Sequence, residues 1–235
     1  MAPTQQVSGV EATEQVGKRR GRSFWTVVNV LLCSVIALVS FRYLFGVGPV
    51  PPLIFDNAFK NPWLVVHVAG AATALLISPL QLIPAIRQRR PALHRWLGRL
   101  YVIGCTVGGV AGVPLAIGSA AGGVATAGFG LLAIAWLVTT LSGWRAGYRQ
   151  RVVEHRAWMV RSFALTYAAV TLRIYLAILP TLPIAFVDGY RVVAFLCWVP
   201  NFLIAELFLR RSARGRNRQL PAEAAVGAPA IEASR

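Results

Sequence analysis

Residues 96–144, WLGRLYVIGCTVGGVAGVPLAIGSAAGGVATAGFGLLAIAWLVTTLSGW, decide the fold. Two apolar runs, 96–117 and 124–144, flank the uncharged link Gly118-Ser119-Ala120-Ala121-Gly122-Gly123. A helix needs about 20 apolar residues to cross a hydrocarbon core about 30 Å thick, and each run has that length. Strands of a membrane barrel would be about 10 residues long and alternate in polarity. The stretch therefore reads as two membrane-crossing helices joined by a tight turn at the membrane surface.

Four more runs lie outside it, at 24–46, 62–86, 158–180 and 190–210. The first is too long for a signal-peptide core, and Ser40-Phe41-Arg42-Tyr43 is not a small-residue cleavage site, so it reads as a signal anchor. Apolar residues make up 56% of the 235, and charged residues 14%. Soluble domains carry about 45–50% and about 25%. That excludes a water-soluble globule and a disordered chain. Cys33, Cys105 and Cys197 sit singly in apolar runs and read as buried small hydrophobes, which excludes a disulfide scaffold and gives no metal spacing. Pro79, Pro84, Pro114 and Pro200 lie inside or near the ends of runs and are expected as kinks.

The net charge of +16 would suit nucleic acid on a soluble protein. Here the basic residues fall between apolar runs, so nucleic acid is not expected as a partner. Twenty of the 24 Lys and Arg fall on one side, in 1–23, 87–99, 145–161 and 210–235. Only Arg42, Lys60 and Arg191 fall on the other, and Arg173 lies within a helix. Cytoplasmic loops of membrane proteins are rich in Lys and Arg. The expectation is an all-α integral membrane bundle of six helices in the inner (plasma) membrane, both termini cytoplasmic. Residues 1–23 are expected as a disordered cytoplasmic tail, 24–210 as the six-span domain and 211–235 as a disordered basic tail. The expected partners are the bilayer and anionic lipid headgroups at the cytoplasmic face.

A repeat marks the core. His94-Arg95-Trp96-Leu97-Gly98-Arg99 opens the third span, and His155-Arg156-Ala157-Trp158-Met159-Val160-Arg161-Ser162 opens the fifth. Spans two to five then form two hairpins of like orientation, a pseudo-twofold four-helix core flanked by two outer helices. Repeats of this kind are related by an axis along the membrane normal. Small residues recur every four positions at Gly70, Ala74 and Ser78 and at Gly104, Gly108 and Gly112. Such seams let helix backbones approach closely.

These segments resemble a family of bacterial membrane proteins assigned to a domain of unknown function. The resemblance rests on His67-Val68-Ala69-Gly70, on His94 to Tyr101 and most of all on His155 to Arg173. It covers about residues 60–210 and implies no activity. A weaker resemblance, in architecture and His positions only, is to transmembrane di-haem cytochromes b.

Polar groups inside a bilayer are costly and mark candidate sites. His94 and His155, at matching depth, are candidate axial ligands of a b-type haem, with Arg95, Arg99, Arg156 and Arg161 as candidate propionate partners. Interfacial side chains reaching to lipid headgroups are the alternative. The fourth span offers no His, Met or Cys at the depth of His67, so a second bis-liganded haem is not expected. His155, Met159, Ser162, Thr166, Ala169 and Arg173 share one helix face. Depth brings Arg173 towards His67, a candidate outer site for an anion or a quinone carbonyl. A structural Arg bonded to helix carbonyls is the alternative. Glu206 and Arg161 are expected as a structural ion pair. The functional readings are a haem or quinone redox protein, a small transporter or exporter of an anionic or amphipathic molecule, or a non-catalytic subunit.

Overall fold

The computed structural model describes residues 24–48 and 51–226, so the expected tail 1–23 and residues 227–235 lie outside the described residues. Every regular element among the described residues is helical. Helix α1 (Phe24–Phe45) ends in a 3-10 turn, and α2 (Pro52–Phe55) is a single turn. They are followed by α3 (Lys60–Gln81), α4 (Pro84–Arg89), α5 (Pro91–Ile117), α6 (Gly123–Tyr148), α7 (Val152–Thr166), α8 (Ala168–Ile178), α9 (Phe186–Leu196) and α10 (Val199–Val226). Six helical stretches among the described residues are long and apolar enough to cross a membrane. They are α1, α3, α5, α6, α7 continued by α8, and α9 continued by α10.

Helix boundaries differ from the apolar runs for local reasons. α5 begins at Pro91, whose missing N–H costs nothing in a first turn. His94 and Arg95 therefore lie within the helix. α3 stops at Gln81, because Pro84 cannot donate to the carbonyl four residues back, and α4 starts there. Pro79 and Pro114 are held inside α3 and α5. α10 continues to Val226, beyond residue 210 where composition marks the start of a disordered tail. Arg and Ala, frequent there, are good helix formers.

The fifth and sixth spans are broken. Pro200 offers no N–H to the sixth, which opens at Cys197 and Trp198. The fifth breaks at Tyr167 without a proline. There Thr166 Oγ1 donates back to the Ser162 carbonyl of its own helix at 2.9 Å. Hydroxyls bonded back to their own helix bend it. The two breaks are joined: Thr171 Oγ1 donates to the Cys197 carbonyl, which also accepts from Asn201 Nδ2 at 3.0 Å.

In the core, α3, α5, α6 and α7 form a ring in which each packs on the next and α7 returns to α3. The α3–α5 seam is the closest, as the spacing of small residues leads one to expect. A Cβ on Gly70 would lie 2.5 Å from the Gly108 amide nitrogen, and one on Gly104 would lie 2.8 Å from the Gly70 carbonyl oxygen. No side chain fits there, so the two backbones touch. α1 covers α3 and α8 through Cys33 and Ala37 against Val68, Ala72, Leu75 and Val170. The sixth span, expected as an outer flank, is one only in its second half. α9 enters the bundle beside α6, where a Cβ on Gly128 would lie 2.8 Å from that of Ala194.

Candidate functional site

The α7–α8 face carries a polar stripe along the bundle from the arginine-rich end to the opposite end. At the arginine-rich end, His155 Nδ1 lies 2.8 Å from the Gly143 carbonyl oxygen of α6. A carbonyl only accepts, so Nδ1 holds the proton and Nε2 is left over. His94 lies within electrostatic range of His155. Its carbonyl accepts from Gln81 Nε2 at 3.3 Å, while its Nδ1 is buried with no hydrogen-bond partner. Arg99 stacks over Trp96 at 4.9 Å and Arg161 over Trp158 at 4.8 Å, the same contact in both halves of the repeat. Arg161 also donates through Nε and Nη2 to both carboxylate oxygens of Glu206, the second at 3.1 Å. The expected Arg161–Glu206 pair is formed, and it commits a guanidinium proposed for a propionate. Arg95 and Arg156 are exposed. No group of three or more metal-ligating side chains occurs among the described residues.

The middle of the stripe is a buried hydroxyl cluster. Tyr101 Oη lies 2.8 Å from both Ser162 Oγ and Thr166 Oγ1. Thr140 Oγ1 lies 2.7 Å from Ser162 Oγ, and Trp136 Nε1 donates to Thr166 Oγ1 at 2.8 Å. The protons can be assigned. Four hydroxyls serve four contacts, counting the bond from Thr166 to the Ser162 carbonyl. Only Thr166 can donate in that last contact. Tyr101 must then donate to Thr166, Ser162 to Tyr101, and Thr140 to Ser162. This single arrangement uses every proton once, and Thr166 fills its capacity of one donor and two acceptor sites.

At the opposite end, α2, α3 and α5 to α9 line a cavity of about 220 Å³. Thr166 and Trp136 line its floor, and Leu64, Leu132, Leu165 and Leu172 line its walls. His67 and Arg173 both line it, as their depth leads one to expect. His67 Nδ1 lies 2.7 Å from the Gly108 carbonyl oxygen, so its proton sits on Nδ1 and Nε2 is an acceptor. Gly112 makes room for the ring: a Cβ there would lie 3.3 Å from His67 Nδ1. Arg173 donates to the Ala169 carbonyl at 2.8 Å and to Ser40 Oγ at 2.6 Å. Both partners are neutral. Among the described residues, no acidic side chain lines the cavity and none pairs with Arg173.

The sequence brings out the two ends of this stripe more clearly than its middle. Tyr101 lies in one apolar run and Trp136 and Thr140 in the next, and only packing shows that they meet Ser162 and Thr166. Ser162 and Thr166 were legible from their four-residue spacing. Tyr190, Asn57 and Ser119 also line the cavity and carried no signal in the pattern.

A family model described as "Predicted membrane protein (DUF2306)" matches residues 64–209, which spans α3 to α10 and every residue of the stripe. No curated protein and no solved structure matches the chain. The chain belongs to this family of membrane proteins of unknown function.

Proposed function

We propose that this protein is a small transporter of the inner membrane, oriented with both termini cytoplasmic, that takes an amphipathic molecule with an anionic or carbonyl head into the cavity from the outer side. The observation that carries this reading is the Arg173 guanidinium. It lines a largely apolar cavity, in the half of the bundle away from the arginine-rich loops, and has only neutral partners. A cation in the bilayer costs about 2.5–3.5 kcal/mol on insertion scales. A ligand with an acceptor head offsets that cost when it binds. Two of the five guanidinium N–H groups are used, which leaves donors for such a head. The two broken spans meet at the same cavity, and discontinuous helices commonly form the sites of transporters. The test is uptake of radiolabelled benzoate and of a short-chain quinone into proteoliposomes. Uptake of either that falls at least tenfold in Arg173→Gln supports the reading, and no uptake of either contradicts it.

A haem-dependent redox protein is the second reading, favoured by one observation. A haem-ligating His usually donates its other ring nitrogen to a carbonyl, as His155 does to Gly143. His155 fits a ligand role, His94 lacks the matching bond, and Arg161 is held by Glu206. The donor set is therefore half suited to haem. A Soret band in the purified protein that is lost in both His94→Ala and His155→Ala supports this reading. A colourless folded preparation contradicts it.

A further inference from the structure

We propose that the cavity binds a small monocarboxylic acid together with one proton, the carboxyl group bridging His67 and Arg173 and the apolar body resting against Trp136 and Leu165. This deepens the transporter reading above and rests on the same cavity.

The argument is one of donor and acceptor inventory. At one end of the cavity Arg173 supplies donors and positive charge. His67 supplies an acceptor, because its Nδ1 proton is spent on the Gly108 carbonyl at 2.7 Å. A head that satisfies both must offer an acceptor to the first and a donor to the second. A carboxylic acid does so: its hydroxyl donates to His67 Nε2, and its carbonyl oxygen accepts from Arg173. The proton can cross from oxygen to Nε2, which leaves a carboxylate beside Arg173 and an imidazolium beside the carboxylate. Only the O–H and N–H bonds exchange in that step, and the total charge is unchanged. A quinone offers two acceptors and no donor to Nε2. An amide offers both but gives Arg173 no counter-charge.

The other end of the cavity decides where the body goes. Thr166 and Trp136 are polar groups on the floor, yet their hydrogen bonds are all used. Trp136 Nε1 donates to Thr166 at 2.8 Å, and Thr166 donates to the Ser162 carbonyl at 2.9 Å. This floor offers indole and methyl surface without a free donor, so it suits a hydrocarbon body and not a second polar head. The remaining titratable groups facing His67 across the cavity are Tyr190 of α9 and Cys197 at the α9–α10 break. α5 and α6 bring none. On the α1 side, Arg42 and Tyr43 lie within electrostatic range of Arg173.

The experiment is calorimetric titration of the full-length protein in detergent with benzoate, in two buffers of different ionisation enthalpy at pH 7.5 or roughly so. A carboxylic acid is ionised in such a solution. Binding as proposed therefore takes up about one proton per benzoate from the buffer. Benzamide is expected to bind at least tenfold more weakly. In His67→Leu, which offers the acid hydroxyl no acceptor, proton uptake falls towards zero while some benzoate binding to Arg173 persists. Benzoate binding by the wild-type protein without proton uptake overturns the proposal, and so does benzamide binding as tightly as benzoate. If a short-chain quinone binds and benzoate does not, the acid is wrong and the cavity reading stands. If neither binds, both fail.

Discussion

Thr166 accepts a hydrogen bond from Trp136 Nε1 at 2.8 Å and passes its own proton to the Ser162 carbonyl at 2.9 Å, so the hydroxyl that floors the cavity has no donor to spare. Three helices are tied together at this point: Tyr101 belongs to α5, Trp136 and Thr140 to α6, and Ser162 and Thr166 to α7. The chain of donors runs one way, which ranks its members by how many bonds each loss breaks.

Thr140 stands at the head of that chain and makes one of its bonds, whereas Thr166 takes part in three. Side-chain hydrogen bonds between membrane helices average about 0.6 kcal/mol and reach about 1.7. Thr140→Val should therefore cost about 0.5 kcal/mol, Tyr101→Phe about 1 and Thr166→Val about 2. Unfolding in mixed detergent with a denaturing surfactant measures the series. Equal losses across the three would contradict the ordering.

The α3–α5 seam should tolerate no added atoms. A Cβ on Gly70 would sit 2.5 Å from backbone, whereas one on Gly123 would meet nothing within 4 Å. Forcing atoms into a packed contact costs about 1–3 kcal/mol. Gly70→Ala is expected to lower the melting temperature in detergent by several degrees, while Gly123→Ala leaves it within a degree or so by the same reasoning. Similar shifts in both would mean that the seam is not a backbone contact.

Arg161 and Glu206 join α7 to α10, each with its side chain 22% exposed. Loss of either should destabilise, and the two losses should not add. A double-mutant cycle with Arg161→Met and Glu206→Gln is expected to give a coupling of about 1 kcal/mol. A coupling near zero would show that the stacking of Arg161 on Trp158 matters and the ion pair does not.

The orientation can be read with reporter fusions at residues 1, 120, 150 and 235. The account expects cytoplasmic signals at the first, third and fourth, and the opposite signal at 120. Outward signals at both ends would reverse which side the cavity opens to, and a split between the two ends would contradict the six spans.

Much of this architecture is visible in the chain itself, for physical reasons that also set the limit. Apolar run length marks the spans, since the bilayer has one thickness. The recurrence of small residues at Gly70, Gly104 and Gly108 marks the closest helix pair, since only hydrogen fits between touching backbones. His67 and Arg173 are legible because a polar group within an apolar run needs a reason. The breaks are half legible: Pro200 announces one, but the break at Tyr167 goes with the Thr166 hydroxyl bonded to its own helix, a choice made by packing. Of the hydroxyl cluster only Ser162 and Thr166, spaced four apart on one helix face, are legible. Tyr101, Trp136 and Thr140 are ordinary residues for membrane helices, and what joins them is the relative rotation of α5, α6 and α7.

The most direct measurement of the central claim is a crystal structure of the protein soaked with 4-bromobenzoate, with data collected at the bromine absorption edge. An anomalous peak is expected deep in the cavity, between Trp136 and Leu165, with carboxylate density between Arg173 and His67. A peak outside the bundle, or a bromine beside Arg173 with the carboxylate turned to the floor, would contradict it.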